Sequence, residues 1–202
     1  LALSWRVPYA GDVDAARRAE IRSKAGSIIA SVLGDEGAGS LLSWARGENY
    51  AAGISASASP DGSSGLRLDI AYELTSKGLN FWPDLVAATV GGLAKLRVAG
   101  VPRYRVEELD QLAELSWRYS EPGGAGDVAK GLVTNVQEVG WDTTPDDQRR
   151  ILSLFRRRGA GAGSSTDAQL DATRQLLETG LVLENLCLTV VAREFLRKDS
   201  YW

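Results

Sequence analysis

The chain opens on strict alternation: Leu1, Leu3, Trp5 and Val7 fall on one side, Ala2, Ser4 and Arg6 on the other. That pattern predicts a half-buried strand closed by Pro8. From Asp12 to Leu33 the period changes, because Ile21, Ala25, Ile28, Ile29 and Val32 recur at helical spacing while Arg17, Arg18, Glu20, Arg22 and Lys24 populate the wet side of the first half. One long amphipathic helix is expected there. The run Gly34-Asp35-Glu36-Gly37-Ala38-Gly39-Ser40 then breaks the pattern; its three glycines permit positive φ and close approach between helices, and Ser40 suits the N-cap of a short helix carrying Leu41, Leu42 and Ala45. Gly47 to Asn49 stop that helix. Tyr50 to Ala58 reads as a strand in which Tyr50, Ala52, Ile54, Ala56 and Ala58 alternate with Ala51, Gly53, Ser55 and Ser57. Side chains this small hold register weakly and leave the backbone approachable. After a turn at Pro60 to Ser64, Leu66, Leu68, Ile70, Tyr72 and Leu74 point inward and Arg67, Asp69 and Glu73 outward, so the two strands are expected to pair as an antiparallel hairpin.

Thr75 to Gly78 breaks the second hairpin strand, and helical periodicity returns from Pro83 to Ala99 (Val86, Val90, Leu93), from Pro102 to Tyr119 (Val106, Leu109, Ala113) and from Asp127 to Val139 (Val128, Leu132, Val136). Asp146 to Arg158 can form a further short helix. Residues 159–165, GAGAGSS, read as a flexible insertion loop, Ala168 to Glu178 returns to helix, and Leu186, Leu188, Val190 and Ala192 alternate in a closing strand. Strand, helix, two strands, several helices and a final strand imply an α+β fold: a two-layer sandwich with a mainly antiparallel sheet covered by helices on one face, 1–202 forming a single domain.

Composition mostly excludes. With 202 residues, 44% of them hydrophobic, the chain can bury one substantial core, and its formal net charge of −3 without a long basic block gives no support to a nucleic-acid or anionic-membrane partner. The cluster Arg156-Arg157-Arg158 is what a helix C-terminus favours in any case. No apolar run reaches the roughly 20 residues of a membrane span. The opening Leu-Ala-Leu-Ser-Trp lacks a Met and shows no signal-peptide pattern, which suggests a piece of a longer polypeptide whose compartment cannot be read here. Cys187 sits in an alternating apolar segment and reads as a small buried hydrophobe. Six tryptophans are scattered along the chain and suit core and interdomain packing, with Trp82, Trp141 and Trp202 nearest to loops or the chain end.

Histidine is absent. Zinc sites built from histidines and a carboxylate, Ser-His-Asp triads and Cys-His pairs are therefore out of reach, so no catalytic residue and no metal ligand is assigned. The adjacent acids Asp35 and Glu36 could serve as a general base; a solvated turn favouring the positive end of the following helix is the plainer reading.

Four segments in order resemble the noncatalytic second domain of insulinase (pitrilysin) family zinc metallopeptidases, inverted zincins in which that domain typically carries a Gly-His-Glu-Gly-x-Gly-Ser-Leu-Leu turn. They are GDEGAGSLLSWARGENYAAGISASAS from Gly34, IAYELTSKG from Ile70 to Gly78 (the family's Leu-Thr-x-x-Gly), the helix from Val106 to Glu121, and ENLCLTVVAREFLRKDSY from Glu184 to Tyr201. Asp35 stands where the family commonly has histidine and Ala38 where it has proline. The resemblance implies a noncatalytic domain that helps wall a chamber, pairs with the catalytic and other domains of a parent polypeptide, and leaves zinc to that parent, with no cofactor in this chain. It also implies an exosite at which a peptide substrate adds to the sheet along Ile54, Ser55, Ala56 and Ser57 beside Gly37 and Gly39. Small side chains at Ala56 and Ser57 suit such an approach, although they equally suit an edge strand packed beneath a neighbouring domain. A catalytically inactive structural homologue of the family is the alternative.

Overall fold

The computed structural model describes residues 1–119, 123–139 and 165–193. A sheet with order β2-β3-β1-β4 is built from β1 (Ala2–Pro8), β2 (Ala51–Asp61), β3 (Gly65–Leu74) and β4 (Leu186–Thr189), and all three neighbouring pairs are antiparallel. Period-two patterning explains the pairing. Leu3 of β1 lies opposite Ile70 of β3 and Trp5 opposite Leu68, and all four side chains are fully buried. Their neighbours Ser4, Asp69 and Arg67 form a hydrogen-bonded set on the other face, Ser4 Oγ donating to Asp69 and Arg67 Nε reaching Asp69 at 2.9 Å.

Helices cover the apolar face. The core joins Ile28, Ile29 and Leu33 of α2 (Ala25–Leu33), Ala45 of α3 (Leu41–Gly47), Leu85 and Leu93 of α5 (Trp82–Ala99) and Val106 of α6 (Arg103–Arg118) to the inward residues of the sheet. The Tyr72 hydroxyl that enters it from the sheet is satisfied, bonding the Thr89 hydroxyl at 2.7 Å while Thr89 Oγ1 donates to the Leu85 carbonyl; the buried Trp5 indole N–H of β1 has no partner among the described residues. The chain continues through α7 (Ala125–Val139) and, later, α8 (Thr166–Gln175), a π-helical turn at Leu176–Gly180 and a 3-10 turn at Leu183–Asn185. Arg97 of α5 donates to the Leu177 carbonyl at 2.8 Å and also to that of Leu181, which ties these turns to the helical layer. The α+β, two-layer, antiparallel architecture is therefore the one the sequence predicts.

Several local expectations need correcting. The long helix of residues 12–33 is two helices, α1 (Val13–Ser23) and α2, parted at Lys24 with φ 55°. The joint lets Gly26 press against β2 and β3, where an added Cβ would lie 2.9 Å from Ala58 Cβ and 3.0 Å from Leu66 Cδ2; a straight helix would lose that approach. In β2 the alternation slips at a bulge between Ala51 and Gly53, so Ala51 is buried and Ala52 exposed. A short helix, α4 (Ser76–Asn80), occupies what reads as a mere strand break, with Thr75 as its N-cap. β4 ends at Thr189, and its register sets Cys187 opposite Ser4 on the uncovered face, so the thiol is exposed and not a buried hydrophobe. Of residues 159–165 only Ser165 is described; it caps α8, accepting from the Ala168 N–H at 3.2 Å. The expected helix at 146–158 with its three arginines, the rest of the expected 159–165 loop, Trp141 and Trp202 lie outside the described residues.

Candidate functional site

The glycine turn and the edge strand form one corner of the molecule. Ile29, Ala30 and Leu33 anchor α2 in the core, and its C-cap Gly34 closes on β2: an added Cβ would meet Ala56 Cβ at 3.0 Å and the Ala30 carbonyl at 3.1 Å. Close approach here belongs to Gly34, and it is to a strand. Of the three glycines only Gly39 takes positive φ, at 82°. Gly37 has ordinary backbone and meets nothing closer than the Asp35 carboxylate. Ser40 is the N-cap of α3, its hydroxyl accepting the Ser43 N–H at 3.1 Å. Ser40→Ala is expected to cost about 1 kcal/mol of stability, since that N–H would lose its acceptor; a urea titration of both proteins checks it.

Asp35 and Glu36 are not merely solvated. Asp35 accepts the Gly37 N–H at 3.2 Å and pairs with Arg105 of α6. The Gly37 N–H first, and the Arg105 charge after it, hold the Asp35 carboxyl below its usual range against a partial loss of solvent. Glu36 lies 3.4 Å from Arg46 of α3, whose Nε donates to the Ala52 carbonyl at 3.0 Å. The turn is thereby fastened to α6 on one side and to the β2 bulge on the other. Sequence reading missed both arginines: nothing local marks Arg105, 70 residues from Asp35, and the approach of Arg46 to Glu36, 10 residues away, depends on how the turn folds back onto α3.

β2 is an edge strand, with β3 on one side and no strand on the other among the described residues. Ile54 pairs with Tyr72, Ser55 with Ala71, Ala56 with Ile70 and Ser57 with Asp69. Ile54 and Ala56 turn toward the core and are partly buried, whereas Ser55, Ser57, Gly37 and Gly39 are exposed. At the start of β2, Tyr50 stacks on Phe81 at 5.3 Å and meets Trp44 edge-on at 5.8 Å, with Lys77 Nζ 4.8 Å from the Tyr50 ring centroid. Trp44 and Phe81 are exposed, while Trp82 packs against the core.

No histidine is present, and among the described residues no group of three or more Cys, Asp or Glu side chains is placed to hold a metal ion. The donor set does not fit zinc. Nor is any single helix among them long and apolar enough to cross a membrane.

No protein-family model matches the chain. It is 34% identical over 130 residues to Protease 3 of Escherichia coli K12, a match that spans 63% of this chain and 13% of that protein. The crystal structure of pitrilysin superposes on 92% of this chain with a TM-score of 0.70 at 24% identity. The chain is similar to pitrilysin-type proteases in part of its sequence and in its fold. The chain spans only 18% of the pitrilysin chain and about an eighth of Protease 3. An inactive peptidase domain from Bordetella parapertussis shares the fold as well, with a TM-score of 0.56, 19% identity and 92% and 87% of the two chains covered.

Proposed function

We propose that this domain is the noncatalytic, substrate-anchoring and chamber-forming part of an insulinase-like zinc metalloendopeptidase that degrades peptides. The zinc and general base reside in another domain of the parent polypeptide, since this chain has no histidine to supply them. What carries the reading is the position of Ile54–Ser57 on the sheet edge, where an extended peptide finds main-chain donors and acceptors and small neighbouring side chains. Gly37 and Gly39 border this ledge through the turn that Gly34 holds against Ala56. The partners are a peptide substrate and the other domains of the parent.

Proline scanning tests the ledge. Successive N–H groups of a strand face opposite edges, so of Ser55→Pro and Ala56→Pro one removes a donor to β3 and the other an edge-facing donor. The first is expected to lower the melting temperature; the second is expected to leave the sheet ladder intact and weaken peptide binding at least about tenfold, roughly 1.4 kcal/mol, by calorimetry. The isolated chain is expected not to hydrolyse a fluorogenic peptide. Unchanged affinity in both proline variants removes the ledge, and a wild-type chain that takes no peptide is the structural homologue instead.

A further inference from the structure

A second concavity lies where α1 and α8 meet the end of β1. It is open to solvent and has a volume of about 490 Å3, within the range of small-molecule sites. Its apolar walls are Val7, Pro8, Leu66 and Leu176, and Ala168 and Ala172 of α8 leave the room that larger side chains would fill. Glu20 lines it. One oxygen of that carboxylate accepts the Gly26 N–H at 3.0 Å, and no donor of the described residues reaches the other.

We propose that this cavity binds a small organic ammonium ion with an apolar body, Glu20 serving as its counter-ion. A carboxylate partly withdrawn from water, as that of Glu20 is, keeps its charge at a cost that an arriving cation offsets. The protein's own cations do not fill that role. Lys24 acts on Glu20 only through space, Arg17 acts on Tyr9, and Arg22, which also lines the cavity, has its Nε on the Arg18 carbonyl at 3.2 Å. The facing side chains of α8 and the π-helical turn, Gln175 and Thr179, are neutral. Tyr9 is the remaining titratable group on the wall, and both burial and Glu20 push its phenol up, so it stays protonated and able to donate. An ammonium head therefore meets one open carboxylate oxygen, and its hydrocarbon part meets Val7, Leu66 and Leu176.

Benzylamine and its neutral counterpart benzyl alcohol are suitable probes, titrated into the whole 202-residue chain at pH 8.5 by calorimetry and ligand-observed NMR. Benzylamine is expected to saturate and to bind at least about tenfold more tightly than the alcohol, which corresponds to roughly 1.4 kcal/mol. Glu20→Gln is expected to erase that preference, and Ala172→Leu, which fills the space and keeps the carboxylate, to abolish binding of both. No saturation by the amine, equal affinity for amine and alcohol, or unchanged amine binding in folded Glu20→Gln overturns the proposal. Should Glu20→Gln fail to fold, Ala172→Leu decides alone: retained amine binding there is the overturning result.

Discussion

Gly78→Ala is expected to destabilise the domain by more than about 3 kcal/mol, a large part of the whole for a domain of this size. An added Cβ would stand 1.8 Å from the Tyr50 carbonyl oxygen and 2.7 Å from its carbon. Neither side can yield cheaply. The Tyr50 carbonyl accepts the Thr75 N–H at 3.0 Å, its own N–H donates to Ala45, and its ring is stacked on Phe81. Gly78 is fixed in turn by its N–H, which donates to Thr75 Oγ1 at 2.9 Å. A methyl group must therefore push α4 away from β2 or break the Thr75 cap. Gly91→Ala is the control: nothing lies within 4 Å of an added Cβ there, and the interior of α5 is expected to gain up to about 1 kcal/mol. Urea unfolding of the three proteins reads both effects. A Gly78→Ala protein within about 1 kcal/mol of wild type would show that the Tyr50 carbonyl is free to move.

The same contact gives a physical reading of Leu74-Thr75-Ser76-Lys77-Gly78. Leu74 ends β3, Thr75 caps α4 through its hydroxyl, and the glycine is the only residue that lets the helix lie directly on the β2 entrance. Lys77 completes the corner: its Nζ donates to the Glu48 carbonyl at 2.7 Å and lies over the Tyr50 ring. A segment read from sequence as a strand break is thus the piece that holds one end of the proposed ledge in place.

Where inside and outside differ sharply, periodicity located the elements. β3 alternates Leu66, Leu68, Ile70 and Tyr72 against charged residues, and the structure buries those four side chains. In β2 both faces carry alanine, serine and glycine, so nothing in the pattern distinguishes a regular strand from one with an extra residue at Ala52. Lys24 was illegible for a different reason. Left-handed backbone at a residue with a Cβ is unfavourable by itself and is set here by contacts with residues 30 to 40 positions away, Gly26 against Ala58 and Leu66. At the candidate site the residues that line the edge were readable as small and approachable. The contacts that hold the turn, Gly34 on Ala56, Arg46 on Glu36 and Ala52, and Arg105 on Asp35, depend on how the chain folds back and could be found only in three dimensions. Cys187 failed similarly: β4 alternates, but only its register opposite Ser4 says which face the thiol takes.

Glu20→Gln is expected to stabilise the domain above neutral pH and to flatten its stability between pH 4.5 and 7. Burial, opposed by the Gly26 N–H and by Lys24, raises the Glu20 carboxyl from 4.5 to about 7. The folded chain thus holds its proton through a range in which the unfolded chain has released it. Its contribution to stability is complete below the unfolded value, declines as pH climbs through that window, and is gone above the folded value. A shift of this size corresponds to at most about 3 kcal/mol, and less to the extent that water reaches the carboxylate. Glutamine keeps an oxygen for Gly26 and carries no charge, so the variant should gain most of that amount at pH 8 and differ little from wild type at pH 4.5. Chemical denaturation at several pH values separates this from a packing effect, which would shift both ends alike. A wild-type protein equally stable at pH 5 and pH 8, with a variant that parallels it, would mean that Glu20 is ionised in the fold throughout. The cost of that charge falls on the α1–α2 joint, because the Gly26 N–H is the carboxylate's one bonded donor among the described residues. The left-handed turn at Lys24 is therefore held by a group whose charge the surroundings oppose, and a cation entering the neighbouring cavity would relieve both at once.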